Sequence, residues 1–192
     1  ITITGTQGHV AYPDLAINPT SHLIKFLHSI NEKVWDKGND HFQPSNLEIT
    51  SINIENTATN IIPKEGCAQF NIRFNNLHTG ESIRDFLQKE QKKISIPSTI
   101  ETSISGESFL TSPGFLTDTI SSAINFNTGF KPKLTTTGGT SDARFIKNVC
   151  PVCEFGMLNT TAHKVNEHVP LGDIFSLTKI YTKFLELYFS RP

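Results

Sequence analysis

The stretch Asn159-Thr-Thr-Ala-His163-Lys-Val-Asn-Glu167 sets one histidine in a polar loop directly after the apolar run Val149-Cys-Pro-Val-Cys-Glu-Phe155. A loop at the end of a buried strand is where α/β folds place their chemistry. A neutral imidazole nitrogen binds zinc, so His163 is a candidate metal ligand. A hydrolytic zinc needs about three protein ligands plus a water. The chain offers no His-x-Glu-x-x-His, no His-x-Asp and no Glu-Glu pair to supply the others. It reads as half of an active site.

Three further groups could do chemistry, each with a plainer reading beside it. Gly8-His9-Val-Ala-Tyr12-Pro13 places a histidine in a glycine-flanked loop. Such a histidine can donate to a developing oxyanion, or it is a surface residue in a turn. Gly138-Gly-Thr-Ser-Asp142 is a glycine-rich strand-to-helix turn. Its N–H groups and hydroxyls suit a carboxylate or phosphate, or it is a capped helix start. It has neither a Walker lysine nor dinucleotide spacing. Arg73, inside Phe70-Asn-Ile-Arg-Phe74, is either a charge guarding an edge strand or a clamp for a carboxylate. Cys150 and Cys153 form a lone Cys-x-x-Cys in a strand-like run, so they read as buried thiols rather than a zinc or redox pair.

The elements that must position these residues follow from periodicity. Ile1-Thr-Ile-Thr4 reads as the middle of a strand. Asn18-Pro19 opens a helix, with Leu23, Ile24, Leu27, Ile30 and Val34 at helical spacing. Asn46 to Asn56 alternates as a strand, with a bulge near Thr50-Ser51. Cys67 to Phe74 is a second alternating strand. Thr79 caps a second helix carrying Ile83, Phe86 and Leu87, and Thr99 to Ser105 makes a short strand. Residues 1–106 therefore read β-α-β-β-α-β, the ferredoxin-like pattern. From residue 107 the order becomes helix 113–127, strand 133–137, short helix 142–148, strand 149–155 and a last helix from about 171 to 189. That is part of an α/β layer structure, whose remaining strands would have to come from residues ahead of Ile1.

Bulk properties exclude some classes. The 192 residues carry a formal net charge of −1, which invites neither nucleic acid nor an anionic membrane. No apolar run approaches the roughly 18 residues of a membrane helix. The three cysteines, an odd number, point to a reducing, cytoplasmic setting. The chain begins at Ile1 and its one methionine is Met157, so it is expected to be a piece of a longer translation product.

Gly8-His-Val-Ala-Tyr-Pro13, Trp35-Asp-Lys-Gly-Asn39, Asn60-Ile-Ile-Pro63, Phe70-Asn-Ile-Arg73, Gly138-Gly-Thr-Ser-Asp142 and His163-Lys-Val-Asn-Glu167 occur in this order. Together they resemble the co-catalytic zinc amidohydrolases related to aminoacylase and carboxypeptidase G, and among them the bacterial succinyl-diaminopimelate desuccinylase branch. The resemblance implies a two-zinc catalytic domain (cobalt can substitute) interrupted by a ferredoxin-like lid that forms a homodimer. Residues 1–106 would be that lid/dimerisation domain. Residues 107–192 would be the C-terminal part of the α/β zinc-peptidase-like catalytic domain. The implied reaction is hydrolysis of N-succinyl-L,L-diaminopimelate to succinate and L,L-diaminopimelate, in lysine and diaminopimelate biosynthesis. A related aminoacylase or dipeptidase, or a non-catalytic dimerisation module, stands as the alternative.

By the same resemblance, His163 would be a zinc ligand. His9 would be catalytic, stabilising the oxyanion in the partner subunit's site, and Asn60 would act across the dimer. Arg73, Gly139, Thr140 and Asn159 would hold the substrate carboxylate, and Tyr12 would place the diaminopimelate end. The general base, the bridging carboxylate and the other histidine of the family have no counterpart here. Thr59-Asn60 also departs from the Asn-Asn found in many members.

Overall fold

The computed structural model describes residues 1–136, 139 and 141–190, which form two compact units, Ile1–Ser108 and Phe109–Pro192. In the first unit the elements are β1 (Thr2–Thr4), β2 (Gly8–His9), α1 (Pro19–Asn31), β3 (Asn46–Asn53), β4 (Ile61–Ile62), β5 (Glu65–Arg73), α2 (Gly80–Gln91) and β6 (Ser98–Thr99). Four of the strands form an antiparallel sheet in the order β3-β5-β1-β6. That is the ferredoxin-like arrangement expected of a βαββαβ chain, in a mixed α/β fold.

Local chemistry sets the boundaries. Asn18 caps α1, its Oδ1 accepting the Thr20 N–H at 3.0 Å ahead of Pro19. Thr79 and Ser82 form a reciprocal capping box at the start of α2. Leu23, Phe26, Leu27 and Ile30 recur on one face of α1 and pack with Ile3, Ala68, Ile83 and Leu87 into a single core. β3 and β5 pair along their lengths, with the bulge falling between Ile49 and Ser51 as the sequence predicts.

Three features depart from the sequence reading. Helix α1 stops at Asn31, so Val34 is 76% exposed and Trp35 takes the inward position, its ring 5.1 Å from that of Phe86. The strand predicted over Thr99–Ser105 shrinks to Ser98–Thr99, because its neighbour β1 is only three residues long. Beyond it the chain straps onto α2, and the Glu107 carboxylate accepts the Gly80 N–H at 3.0 and 3.2 Å. A two-stranded ribbon, β2 with β4, was not foreseen.

The loop after α1 is organised by Asp36. Its carboxylate accepts N–H groups from Gly38 at 2.6 Å and Ser45 at 3.2 Å, takes the Asn75 amide at 2.7 Å and meets His78 Nε2 at 3.1 Å. Burial pushes this carboxyl up, but the hydrogen bonds from Ser45, Gly38 and Asn75 reverse that and hold it at about 2. Gly38 sits at φ +72°, where an added Cβ would lie 2.5 Å from the Phe42 carbonyl oxygen. The Trp35-Asp-Lys-Gly element therefore ties α1 to the end of β5.

The second unit contains α3 (Phe115–Thr128), α4 (Ala143–Ile146) and α5 (Leu171–Phe189). Gly129 closes α3 in the left-handed conformation at φ 74°. Ile120, Ala123 and Ile124 of α3 pack on Ile180 of α5, with Cys153, Phe155 and Phe184 beside them. The predicted strands do not form. Residues 133–136 and 149–155 are irregular, and Thr137 lies outside the described residues. A strand needs a neighbour to take its N–H and C=O groups, and no strand occurs among the described residues of this unit. The run expected to be buried is accordingly open: Val149 is 87% exposed and Cys150 is exposed, while Cys153 is half-buried, which raises its thiol pKa. On the α5 stripe Ile180 is buried, but Ile174, Tyr181 and Leu185 are exposed. No helix among the described residues is long and apolar enough to cross a membrane.

Asp36→Ala strands several donors, so we expect it to destabilise the first unit by about 2–3 kcal/mol in urea unfolding. The folded pKa lies below the ordinary 3.8, so the folded state binds fewer protons. The stabilisation is complete above pH about 4 and fades as pH falls toward about 2. Asp36→Asn should flatten that acid limb; an unchanged limb would show that the carboxylate is not its source.

Candidate functional site

The β2–β4 ribbon builds the densest group of candidate residues. Gly8 stands opposite Ile62 and His9 opposite Ile61, and the Val10 N–H donates to the Asn60 carbonyl at 3.1 Å. His9 and Asn60, 51 residues apart in sequence, thus fall one position apart in the ribbon's register, His9 opposite Ile61 and Asn60 opposite Val10. Gly8 is required there, since a Cβ would sit 2.6 Å from the Ala16 Cβ where the chain folds back. The fold-back is the short 3₁₀ turn Pro13–Leu15, opened by Pro13.

The orientation of His9 is chemically informative. Its Nδ1 accepts the Ala11 N–H at 3.0 Å. In the neutral ring the proton is then on Nε2, leaving an N–H donor on an exposed imidazole. Tyr12 is 62% exposed, its ring centroid is 5.7 Å from that of His9, and its N–H donates to the His9 carbonyl at 2.9 Å. Asn60 is likewise exposed. The exposed His9 and Tyr12 rings are therefore presented together, with Asn60 held nearby through its backbone, an arrangement suited to stabilising an oxyanion or gripping a polar ligand.

Arg73 ends β5 opposite Asn46, exposed and with no ion-pair partner among the described residues. β1 pairs only with Glu65–Cys67 of β5, so at Arg73 a strand lies on the β3 side alone. The Arg73 fork remains available to a carboxylate.

In the second unit, Gly139 is exposed with open space around it, while Gly138 and Thr140 lie outside the described residues. The Ser141 N–H donates to the Glu154 carboxylate at 2.9 Å, and Ser141 Oγ accepts the Ala143 N–H at 3.3 Å. Asp142, at the head of α4, makes no side-chain capping bond. His163 is exposed at the tip of a loop closed by Thr161, whose hydroxyl donates to the His168 carbonyl at 2.7 Å and accepts its N–H at 3.2 Å. His163 and Asn166 both adopt positive φ, 60° and 63°, an uncommon state for non-glycine residues. The His163 N–H donates to Glu167 at 3.3 Å, and Asn159 is exposed nearby in the chain. Among the described residues no group of three or more His, Cys, Asp or Glu side chains could hold a metal ion.

Sequence reasoning found His9, Asn60 and Tyr12 separately but not the ribbon that joins them. The available signal was the pair Ile61-Ile62, β-branched and bounded by Asn60 and Pro63. It also missed the Thr161–His168 closure, which no periodicity announces.

The peptidase dimerisation domain family matches residues 1–98. The chain is 50% identical over 190 residues to the succinyl-diaminopimelate desuccinylase of Ehrlichia canis (strain Jake), covering 99% of this chain and 50% of that protein. It is 52% identical over 193 residues to the enzyme of the same name from Pelagibacter ubique, again covering 50% of that protein. The chain thus spans about half the length of the curated relatives it matches. Among solved structures it resembles an M20 family metallo-carboxypeptidase from Sulfolobus solfataricus, at 14% identity and TM-score 0.76 over 97% of this chain and 60% of that one. The dipeptidase Dug1p from Saccharomyces cerevisiae is similar at TM-score 0.75 and 14% identity, over 100% of this chain and 53% of that one. At this identity the structures speak for the fold alone.

We expect ¹⁵N ring shifts of His9 recorded at pH 8 to show the proton on Nε2 and a free Nδ1. The opposite tautomer would contradict the Ala11 contact.

Proposed function

This chain belongs to the peptidase dimerisation domain family, and from that premise we propose that it is part of a zinc-dependent succinyl-diaminopimelate desuccinylase. Residues 1–106 are the lid and dimerisation domain in this reading, and residues 107–192 the C-terminal portion of the catalytic domain. The reaction is hydrolysis of N-succinyl-L,L-diaminopimelate in lysine and diaminopimelate biosynthesis, carried out in the cytoplasm by a homodimer joined through the lid. Support comes from about 50% identity over nearly the whole chain to relatives bearing that name. The observation that carries the mechanism is the ribbon, in which the Ala11 N–H occupies His9 Nδ1 and leaves Nε2 of the neutral ring as the donor.

Amide hydrolysis passes through a tetrahedral species with a developing oxyanion. A pre-set N–H donor aimed at that oxygen is stronger in the transition state than in the ground state. His9 would supply that donor to the partner subunit's site, with Asn60 beside it. Arg73 would grip a substrate carboxylate through its fork. Gly139, Thr140 and Asn159 would contribute further donors, and Tyr12 would orient the diaminopimelate end. His163 would serve as one metal ligand. The described residues do not by themselves compose a zinc site. The remaining ligands of the two zincs, or of cobalt in their place, would have to lie outside this chain.

The pure 192-residue chain is therefore expected to show no zinc-dependent succinate release, and to run as a dimer at micromolar concentration. Measurable turnover by that chain would overturn the proposed division of the site, and a strictly monomeric mass would count against the lid interface. In a full-length enzyme carrying this chain, His9→Ala should lower kcat roughly 10²–10³-fold, the usual cost of losing one oxyanion donor. Unchanged kcat with normal zinc content would remove His9 from the chemistry.

A further inference from the structure

We propose that Asn56 is a positioning residue for His9, acting through the backbone of the ribbon; this rests on the desuccinylase reading above. The register makes the case. The Val10 N–H bonds the Asn60 carbonyl, so residues 10 and 60 form a hydrogen-bonded pair of the antiparallel ribbon. The next pair, His9 and Ile61, is then of the non-hydrogen-bonded kind, where side chains approach most closely and carbonyls point away from the partner strand. The Ile61 carbonyl is thus left facing off the ribbon. Asn56 meets it: its Nδ2 donates to Ile61 O at 2.9 Å.

The same side chain has a second bond. Asn56 Oδ1 accepts the Ala58 N–H at 3.1 Å, folding the loop that leads to Asn60. Its own N–H donates to the Ile54 carbonyl at 2.7 Å, just past the end of β3. The half-buried Asn56 side chain therefore ties the loop that leaves β3 to the strand directly opposite His9. The amide accepts from Ala58 through Oδ1 and donates to Ile61 through Nδ2 at once. Aspartate keeps the first bond and sets a negative charge against the Ile61 carbonyl in place of the second. Asn56 touches no reacting atom in this scheme. It holds the ribbon so that the His9 ring stands at the right height.

The test uses the full-length dimeric enzyme. Asn56→Asp, and Asn56→Ala as an uncharged control, should each lower kcat at least tenfold, in line with the sensitivity of catalysis to misplacement of about 1 Å. KM should stay within about twofold, and zinc content should not change. In a His9→Ala background the same changes should have almost no further effect, because the two residues act as one unit. A drop in kcat that is fully additive with His9→Ala, or wild-type kcat in both Asn56 variants while His9→Ala is impaired, would overturn the inference. If His9→Ala itself leaves kcat unchanged, the functional reading fails instead. Should Asn56→Asp not fold, Asn56→Ala and its double variant decide the matter alone.

Discussion

The antiparallel pairing of β3 with β5 organises the whole first unit. Nine residues of β5 run beside eight of β3, and the other side of β5 receives β1, which in turn receives β6. A strand persists only where a neighbour satisfies its N–H and C=O groups. Once this sheet exists, α1 and α2 have a surface on which to bury Leu23, Phe26, Leu27, Ile30, Ile83 and Leu87. The same rule accounts for the second unit. There the segments 133–136 and 149–155 have strand-like composition but no strand to pair with among the described residues, so only helices form. In the proposed function those neighbours belong to the half of the relatives that this chain does not match. They would also cover the open stripe of α5.

The candidate site is a consequence of that sheet. The ribbon that carries His9 branches from the connections that follow β1 and precede β5, and it is too short to stand alone. Its shape is fixed by close contacts instead of length: a glycine against Ala16, an N–H from Ala11 on the imidazole and one from Val10 on Asn60. A donor held this way needs little reorganisation when negative charge appears, which is what oxyanion stabilisation demands. His163, by contrast, sits in an exposed loop with left-handed residues at positions 163 and 166. In the proposed role of metal ligand it would depend on partners from other segments to hold it.

Much of the first unit was readable because local and global preferences agree there. The caps at Asn18 and Thr79, the α1 stripe and the bulge near Ser51 all appear where residue chemistry puts them. Val34 misled because helical spacing continued past the point where Trp35 had to turn inward. Strand composition at 149–155 misled more seriously, since a strand is a property of two chains side by side and composition reports only one. Of the site, the residue types were legible and their assembly was not. Nothing in a linear sequence says that Ile61 lies opposite His9, and the ribbon's two-residue strands are below any periodicity. The net charge of −1 and ordinary composition gave no help toward the substrate.

In the proposed function, His9 of one subunit completes a site whose metal ligand His163 belongs to the other. Co-expressing full-length His9→Ala and His163→Ala subunits measures it directly, since on this account each homodimer should have at most a small residual rate and each mixed dimer one complete site. Random pairing should return succinate release at about a quarter of the wild-type rate. A mixture no more active than either variant alone, with mixed dimers confirmed by mass, would contradict action across the dimer.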